Sequence, residues 1–371
     1  MKILYYTDQI YLHGGLERVL TNKFNYLTKN TNHEVHLLTF QQKNKPVCYP
    51  INGQVNFHDI NIDYDRKLSF LHPKNILKAP KHFIKLRKKI KEIKPDVIIV
   101  CNYEFGFYFI PFLSGNAKTI KEYHSSKHFY DLLQKQNKNI LKKVIYKVSD
   151  YFESKYNHLA LLTKDELNYY KSKNKIVIPN AITCLPNTVS SLNNKTVISA
   201  GRIAPVKAFD KLIKSWQWVA QKHPDWILEI YGDGDPSFIL GLNNLIDSLN
   251  LHGKVILCGS VNNLEHKMIN ASMYVMSSET ECFPMVLLEA MACGLPVVSF
   301  DCPNGPRNII SHNEDGILVP YNNMEALAET IIELISKPDK RKYFGENARK
   351  NINRFNSDVV MGKWLDVFSK Y

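Results

Sequence analysis

Three glutamates occur in the segment SSETECFPMVLLEAMACGLPVVSFDCPNGP at residues 277–306, which is otherwise rich in apolar residues. Glu279 and Glu281 precede the longest apolar run, whereas Glu289 lies inside it, between VLL and AMA. A carboxylate buried without a partner is energetically costly, so Glu289 is expected to face a ligand. Carboxylates accept hydrogen bonds from hydroxyl groups, and the segment therefore predicts a site for a hydroxylated ligand. Glu279 is predicted to be a surface residue only.

The elements around these glutamates place them near the start of a helix. MYVMSS predicts a strand, and Pro284 is expected to be the first residue of a helix that ends at Gly294. Glu281 then lies in the loop and Glu289 in the second turn, from which a side chain leans toward the helix N-terminus. The free amides from Met285 onward favour an anion such as a diphosphate. For Glu281 an alternative remains open, in which its charge only complements the helix dipole.

Two cations follow another predicted strand, TVISAG. Arg202 lies at the strand end and Lys207 in the first turn of the next helix, which suits a diphosphate, although two solvated surface cations remain the alternative. Near the amino terminus, Gly14 and Gly15 open a helix and would let the backbone approach a phosphate or sugar closely; an ordinary tight turn is the alternative. Their spacing is not GxGxxG, so the dinucleotide-binding fingerprint is absent.

The whole chain alternates short apolar runs with amphipathic stretches, the pattern of parallel sheets covered by helices. At 371 residues it is long enough for two cores. We expect an α/β fold of two Rossmann-like domains with parallel sheets facing a central cleft. The expected divisions are residues 1–180, a linker at 181–195, residues 196–355 and a carboxy-terminal helix at 356–371. Ligands of such sheets bind beyond the carboxyl ends of the strands.

These motifs resemble those of the retaining family-4 glycosyltransferases across nearly the full chain. Glu281 and Glu289 enclose seven residues, as in the E-x7-E pattern of that family, and the surrounding segment resembles its donor site. AGRIAPVKAFDKLI, IYGDG, IPN and HGGLERV resemble further family segments. The resemblance implies the GT-B fold, in which the second domain binds a nucleotide-sugar donor and the last helix returns to the first domain.

The resemblance also implies roles for individual residues. Arg202 and Lys207 would bind the diphosphate and Glu289 the ribose hydroxyls. The catalytic residues would be Glu281, which binds the transferred sugar, and His124, which ends the strand KTIKEYH and would contact the sugar near its reactive carbon; a histidine at a strand end is also commonly structural. The full donor-binding set is Gly14, Gly15, Arg202, Lys207, Gly232, Phe283, Pro284, Met285, Val286 and Glu289.

The implied reaction moves a hexose or an N-acetylhexosamine from a nucleotide-sugar, with uridine favoured as the base, to a saccharide or lipid-linked saccharide acceptor. It proceeds with retention and serves bacterial polysaccharide, lipopolysaccharide or capsule assembly. Glu281 is expected to orient the sugar without forming a covalent adduct. A nucleotide-sugar epimerase of the same architecture is the alternative. Two positions depart from the family pattern: Ala208 replaces the usual glycine after the lysine, and Asn308 replaces a glutamate, which leaves its role open.

No metal or cofactor is expected. DYD at 63–65 and DGD at 233–235 have the D-x-D spacing that binds a metal–diphosphate complex in the other glycosyltransferase fold. Here Arg202 and Lys207 already supply cations, so a metal-independent site is predicted. The seven cysteines form an odd number without a CxxC pair, which favours buried, reduced thiols.

Positive charge is concentrated in the first half of the chain. Residues 1–185 contain 30 Lys and Arg against 15 Asp and Glu, whereas residues 186–371 contain 18 against 20. The segments 81–94 and 135–152 combine lysines with apolar residues at helical spacing, which predicts membrane-surface association or, alternatively, a solvated helix face. Nucleic-acid binding is disfavoured because no nucleic-acid-binding module is recognisable. Without a signal peptide or an apolar run of spanning length, we expect a cytoplasmic protein, at the inner face of the plasma membrane if it docks there.

Overall fold

The computed structural model describes residues 1–128, 140–182 and 185–371, apart from the side chains of residues 140–146. Its contacts divide the chain into two compact units. The first unit comprises Met1–Ala181 together with Ser357–Tyr371, and the second comprises Ile182–Asn356. Each unit is built on its own parallel sheet.

The first unit has a seven-stranded sheet with the order β3-β2-β1-β4-β5-β6-β7, in which every neighbouring pair is parallel. Its strands are β1 (Lys2–Thr7), β2 (Glu34–Thr39), β3 (Val55–Asp59), β4 (Val97–Val100), β5 (Lys118–Glu122), β6 (His158–Leu161) and β7 (Lys175–Val177). Its described α-helices before the second unit are α1 (Gly15–Asn30), α2 (Pro73–Ile76), α3 (Ala79–Ile93), α4 (Phe105–Leu113) and α5 (Ile140–Glu153).

The second unit has a six-stranded parallel sheet with the order β10-β9-β8-β11-β12-β13. Its strands are β8 (Thr196–Ala200), β9 (Ile227–Tyr231), β10 (Val255–Gly259), β11 (Met273–Met276), β12 (Val297–Phe300) and β13 (Gly316–Val319). Its described α-helices are α6 (Phe209–Lys222), α7 (Pro236–Ser248), α8 (Leu264–Ile269), α9 (Met285–Ala292), α10 (Met324–Ser336) and α11 (Pro338–Asn351).

Both faces of the first sheet are covered, which explains the uninterrupted apolar residues of its central strand β4. In β4, Val97 and Ile99 belong to one core cluster and Ile98 and Val100 to another, and all four are fully buried. Successive side chains of a strand point to opposite faces, so a strand covered on both sides can bury apolar side chains at every position, as β4 does.

The last helix of the chain, α12 (Ser357–Phe368), packs in the core of the first unit. Trp364 and Phe368 are each 1% exposed and belong to the same cluster as Tyr5 and Phe24. Within the described residues, no helix is both long and apolar enough to cross a membrane.

Apolar runs in the sequence predict ten strands, namely KILYYT, HEVHLLTF, PDVIIVC, KTIKEYH, HLALLT, TVISAGR, WILEIYG, KVILCGS, MYVMSS and PVVSF. All ten are present, but β3, β7 and β13 were not predicted. All three lie at an edge of their sheet. The residues of β3 and β7 are mostly half-buried, and β13 has four residues and begins with a glycine. An edge strand has a neighbour on one side only, so its apolar signal is weaker than that of a central strand.

Candidate active site

The predicted donor residues of the second unit lie mostly around two loops at neighbouring strand ends. The first loop follows β8 and includes Arg202 and the 3₁₀ turn Pro205–Lys207. The second follows β11 and comprises residues 277–284. Because β8 and β11 pair directly and in parallel, both loops begin at the same edge of the sheet.

Hydrogen bonds join these two loops. The amide of Glu279 donates to the carbonyl oxygen of Val206 at 2.8 Å. The hydroxyl of Ser277 donates to the carbonyl oxygen of Lys207 at 3.0 Å. The backbone around Lys207 is therefore held against the segment that leads into α9.

Glu281 and Lys207 form a partly buried ion pair across the joined loops. Nζ of Lys207 lies 2.6 Å from Oε1 of Glu281, and the two side chains are 21% and 13% exposed. The hydroxyl of Ser278 donates to the same oxygen at 2.7 Å. The sequence assigned the lysine to a diphosphate and the glutamate to a sugar, and the structure brings these two groups into contact. An anion bound at Lys207 would therefore lie beside a hydrogen-bond acceptor for hydroxyl groups.

Glu279 is more than a surface residue, so that expectation was wrong. Its carboxylate pairs with Nζ of Lys211 on α6 and accepts a hydrogen bond from the hydroxyl of Tyr321, beyond β13. Burial raises the pKa of Glu279, but the hydrogen bonds from Lys211 and Tyr321 outweigh burial and lower it. Glu279 thus ties the loop after β11 to two other elements. Spacing in the sequence could not show this, because both partners are distant in the chain.

The sequence suggested that Lys207 lies in the first turn of a helix, but it ends a 3₁₀ turn. The next residue, Ala208, has φ 47° and ψ 41°, in the left-handed region, and α6 begins directly after it. Glycine adopts this conformation without a steric cost, which explains the glycine of the family pattern. The backbone is therefore strained at Ala208, directly after the lysine that pairs with Glu281.

Arg202 is exposed and forms no ion pair within the described part of the chain. Its guanidinium is therefore available to an anionic ligand. Gly232, which directly follows β9, has a packing reason for its identity. A Cβ there would overlap the carbonyl oxygen of Gly201, so glycine permits the ends of β8 and β9 to approach closely.

Helix α9 begins at Met285, one residue later than predicted. Pro284 has φ −68° and ψ 106°, so it precedes the first turn and does not belong to it. The amide of Leu287 donates to the carbonyl oxygen of Pro284 at 3.1 Å and is not free for a ligand. Among the residues that the structure describes, no side chain caps this helix, and the amides of Met285 and Val286 are the candidates for an anion.

Glu289 lies in the second turn of α9, as predicted, and is partly buried. Its neighbours Leu288 and Ala290 are fully buried. Phe283, before the helix, is 6% exposed and its ring packs edge-on against Phe355 at 5.4 Å. The helix is thus fixed by its apolar residues, and Glu289 is carried by a rigid element.

Gly305 is a site residue that the sequence reasoning missed. A Cβ at this position would lie 2.5 Å from Cβ of Glu281, so glycine lets the loop after β12 pack against Glu281. The dipeptide Asn304-Gly305 before Pro306 is the signal that could have identified it. Asn308, whose role the sequence left open, donates from Nδ2 to the carbonyl oxygen of Asn304 at 2.5 Å within the same loop.

In the first unit, Gly14 and Gly15 stand at the start of α1. A Cβ at Gly14 would overlap the carboxylate of Glu17, whereas a Cβ at Gly15 would meet no atom of the described residues within 4 Å. Glu17 is 8% exposed and accepts a hydrogen bond from Nε2 of Gln9 at 2.5 Å. Gly14 therefore makes room for Glu17, and Gly15 leaves open space in front of the helix.

His124 lies two residues after β5 and lines a cavity of about 570 Å³ in the first unit. Nζ of Lys127, also at the cavity, lies 3.2 Å from Asp150 and 2.9 Å from Glu153. The cavity also contains five tyrosines, a lining that can stack on a sugar ring: Tyr103, Tyr108, Tyr123, Tyr169 and Tyr170.

Three of the four aspartates in the two D-x-D segments accept hydrogen bonds in local turns, whereas Asp63 accepts one from Nε2 of Gln41 at 3.2 Å. Asp233 accepts a hydrogen bond from the amide of Gly234 at 2.8 Å. Asp235 caps α7 by accepting from the amide of Ser237 at 2.8 Å. Asp65 accepts from the amide of Lys67 at 3.0 Å. These roles give a structural reason for the spacing, and metal independence stays a prediction.

Known proteins resemble the chain along its whole length. Residues 13–190 match the family described as Glycosyltransferase Family 4, and residues 186–351 match the family Glycosyl transferases group 1. The chain is 30% identical over 380 residues to an uncharacterized glycosyltransferase of Haemophilus influenzae, with 99% of each chain covered. It is 24% identical over 380 residues to the amylovoran biosynthesis glycosyltransferase AmsD of Erwinia amylovora, again with 99% of each chain covered.

Among solved structures, Anabaena Alr3699/HepE in complex with UDP resembles the chain with a TM-score of 0.78 at 19% identity, and 100% of each chain is covered. This likeness concerns the fold. Since a full-length relative and two family patterns agree, the chain belongs to the family-4 glycosyltransferases and has the GT-B fold.

Proposed function

We propose that the chain transfers a hexose or an N-acetylhexosamine from a uridine-diphosphate sugar to a glycan or lipid-linked saccharide, with retention, during assembly of a bacterial surface glycan. The observation that carries the proposal is the Lys207–Glu281 pair beside the helix that bears Glu289. The UDP bound to the Anabaena protein and the biosynthetic role in the name of AmsD support the choice of base and product.

The donor would bind in the second unit through its diphosphate. Lys207 and Arg202 would bind the phosphate oxygens together with the amides that start α9. Once the diphosphate interacts with Lys207, the carboxylate of Glu281 can accept a hydrogen bond from the transferred sugar. Glu289 would accept hydrogen bonds from the ribose hydroxyls.

Bond cleavage would place negative charge on the departing nucleoside diphosphate. Fixed cations and helix amides stabilise that charge without reorganisation, which lowers the barrier to transfer. Glu281 would orient the sugar and form no covalent adduct with it. We expect transfer to continue at full rate in the presence of a chelator, and a dependence on added manganese would contradict the metal-independent site.

The acceptor saccharide would bind in the cavity of the first unit. Tyrosine rings offer flat apolar surfaces to a sugar, while Lys127, Asp150 and Glu153 offer hydrogen-bond donors and acceptors for its hydroxyls. His124, at the wall of this cavity, would contact a saccharide hydroxyl.

The α2–α3 segment would bind the surface of an anionic bilayer. Leu77 is 80% exposed and Ile84 is 66% exposed. Four cationic side chains share the exposed part of α3 with Ile84, namely Lys81, Arg87, Lys88 and Lys91. Exposed apolar side chains with a rim of cations match an anionic lipid surface. Of the second basic segment, 135–152, residues 135–139 lie outside the described residues.

Vesicle sedimentation tests this surface. Leu77→Ser/Ile84→Ser should bind vesicles of anionic phospholipid less than the wild type does. Vesicles of neutral phospholipid should bind neither the wild type nor the variant. Phe238→Ser/Leu240→Ser is the matched control, because it removes two exposed apolar side chains from the second unit. Equal binding of both double variants would contradict docking through α2–α3.

The reaction itself is tested with radiolabelled UDP-hexoses and UDP-N-acetylhexosamines, with and without a bacterial extract that contains lipid-linked saccharides. We expect label in the saccharide fraction only when acceptor is present, and an α-linkage from an α-linked donor by NMR. Release of free or epimerised sugar without acceptor would identify a nucleotide-sugar epimerase instead. Thermal stabilisation by UDP, but not by an oligonucleotide, would distinguish a transferase or an epimerase from a nucleic-acid-binding protein.

A further inference from the structure

A buried series of groups runs from α12 through α1 to His124 in the first unit. Nζ of Lys23 lies 4.1 Å from the ring centroid of Trp364. Lys23 forms an ion pair with Glu122, and their side chains are 6% and 2% exposed. Oε1 of Glu122 also lies 3.4 Å from Nε2 of His124. Side chains from α12, α1 and β5 are thus linked to the histidine.

The polar atoms at the end of this series are incompletely bonded. Both ring nitrogens of His124 and Oε2 of Glu122 are buried without a hydrogen-bond partner among the described residues. Buried polar atoms are nearly always paired, so these atoms indicate a place where a ligand completes the bonding. A separation of 3.4 Å slightly exceeds that of a good N–H···O bond, and such bonds often tighten when substrate binds.

The charge states suit a hydrogen bond from a neutral imidazole to a carboxylate. Burial raises the pKa of Glu122, but the neighbouring Lys23 and His124 together outweigh burial, and the pKa is about 2. Burial lowers the pKa of His124, with Glu122 acting in the opposite direction. Burial raises the pKa of Tyr5, a neighbour of Glu122, and keeps it neutral. At neutral pH the carboxylate is therefore ionised and the imidazole uncharged.

Cys101 joins Glu122 and His124, and one atom of each lies within 4.8 Å of the others, a set that could hold a metal ion. The surrounding charges oppose this. Lys23 already pairs with Glu122, and Lys121, whose pKa burial lowers to about 8, also lies near as an ammonium group. Burial raises the pKa of the Cys101 thiol, which keeps it neutral. A divalent cation would meet two ammonium groups and a poor thiol ligand.

We propose that Glu122 is a positioning residue for His124. Its carboxylate accepts the Nε2–H, which fixes the imidazole in that tautomer and leaves Nδ1 to accept a hydrogen bond from a saccharide hydroxyl. Lys23 holds the carboxylate and Trp364 holds Lys23, so α12 supports the site through two side chains. The inference rests on the proposed function, in which His124 contacts the saccharide.

The test compares three variants that change this buried series in different ways. Lys23→Met/Glu122→Leu replaces the ion pair by apolar side chains, a change that buried pairs commonly tolerate. Lys23→Met/Glu122→Gln also removes both charges but keeps an oxygen that can accept the Nε2–H. Trp364→Leu keeps the pair and removes the aromatic ring from Lys23.

Two measurements separate positioning from a general effect on folding. The tautomer of His124 is read from ¹⁵N chemical shifts, with the resonance assigned by its loss in His124→Ala. Turnover is measured with the labelled donor and acceptor. We expect the Glu122→Leu double variant to show mixed tautomers and a kcat lower by about 10- to 100-fold, as when the partner of a functional histidine is removed, with little change in donor KM. The Glu122→Gln double variant should recover the tautomer and part of the kcat.

Several outcomes would overturn the proposal. One is a folded Glu122→Leu double variant with the tautomer and kcat of the wild type; another is a loss of kcat without a change of tautomer. If that variant does not fold, an unchanged tautomer in Trp364→Leu decides against the proposal. Stoichiometric zinc in the wild type that Cys101→Ser abolishes would replace positioning by a metal site. If His124→Ala keeps full kcat, the contact of His124 with the saccharide, which belongs to the proposed function, is contradicted.

Discussion

Glu281 and Glu289 differ in what surrounds them, although the sequence presents them as one motif. Glu281 lies in a loop and is held by Lys207 and Ser278. Glu289 lies on a helix between fully buried residues. Glu281 pairs with the lysine proposed to bind phosphate, so its hydrogen bonds can change when the diphosphate binds and the sugar is transferred. Glu289 is carried by a helix, which suits binding of the ribose, a group that does not react.

Glu289→Ala should weaken donor binding. Loss of a charged hydrogen-bond acceptor costs about 1.5–3 kcal/mol, so donor KM should rise by at least about tenfold while kcat changes less. Steady-state kinetics with varied donor measure both. Glu325→Ala, which removes an exposed glutamate from the first turn of α10, is the matched control and should leave both constants unchanged.

Glu281→Ala should slow transfer more than it weakens donor binding. The variant leaves Lys207 for the diphosphate but removes the group that orients the sugar, so kcat should fall by about 100-fold or more with a smaller change in donor KM. The same kinetic experiment gives the comparison. Full activity in both glutamate variants would show that the donor site lies elsewhere.

Among the elements, the connection between β8 and α6 decides where Lys207 points. It turns through a 3₁₀ segment and then through Ala208 in the left-handed region, where the residue is 2% exposed. Hydrogen bonds to the loop after β11 hold this turn from the other side. The ion pair with Glu281 is therefore a property of two connected loops and not of either residue alone.

Ala208→Gly should change the free energy of unfolding by less than about 1 kcal/mol. Relief of left-handed strain, about 1–2 kcal/mol, is offset by the larger entropy of the unfolded chain, about 0.4–1 kcal/mol, and by the loss of a buried methyl group, about 0.8 kcal/mol. Ala208→Val should destabilise by about 2 kcal/mol or more, because a branched side chain is disfavoured in this conformation and overfills the site. Urea unfolding measures both, and equal stabilities of the two variants would contradict the assigned backbone conformation.

At the scale of the whole molecule, the first unit buries an unusual set of ionisable groups. Burial raises the pKa of Glu104 to about 8, against the opposing charges of Arg66 and Lys121. Burial lowers the pKa of His82, held between two tyrosine hydroxyls, to about 3. Stability of this unit should therefore depend on pH across the neutral range.

Glu104→Gln tests this dependence. Glu104 is protonated in the folded protein below pH about 8, whereas in the unfolded chain it ionises above its ordinary pKa of 4.5. Its contribution to stability is thus fully present below pH 4.5 and is lost as the pH rises to about 8, by an amount on the order of a few kcal/mol. The difference in unfolding free energy, wild type minus variant, should fall between pH 5 and pH 8 in urea titrations; His82 is present in both proteins and cancels. A pH-independent difference would show that the Glu104 carboxyl is not shifted.

The sequence by itself determined the fold class and most of the candidate site. Apolar runs such as VIIV report burial on both faces of a strand, which is a local property, so the nine interior strands were predicted, whereas three of the four edge strands were not. The E-x7-E segment, the glycine pair and the two cations were also visible, because each motif lies in one short stretch whose backbone conformation its own residues favour.

Only the tertiary structure decided which of these residues act together. Glu281 meets Lys207 from 74 positions away, and Glu122 meets Lys23 from 99 positions away. Gly305 matters because its loop packs on Glu281, and Glu279 because it contacts two other elements. Such contacts depend on strand order and on loop conformations that packing sets across a whole unit. No local periodicity in the sequence depends on these contacts. For this reason the motif could be recognised in the sequence, whereas the interactions that position its residues could not.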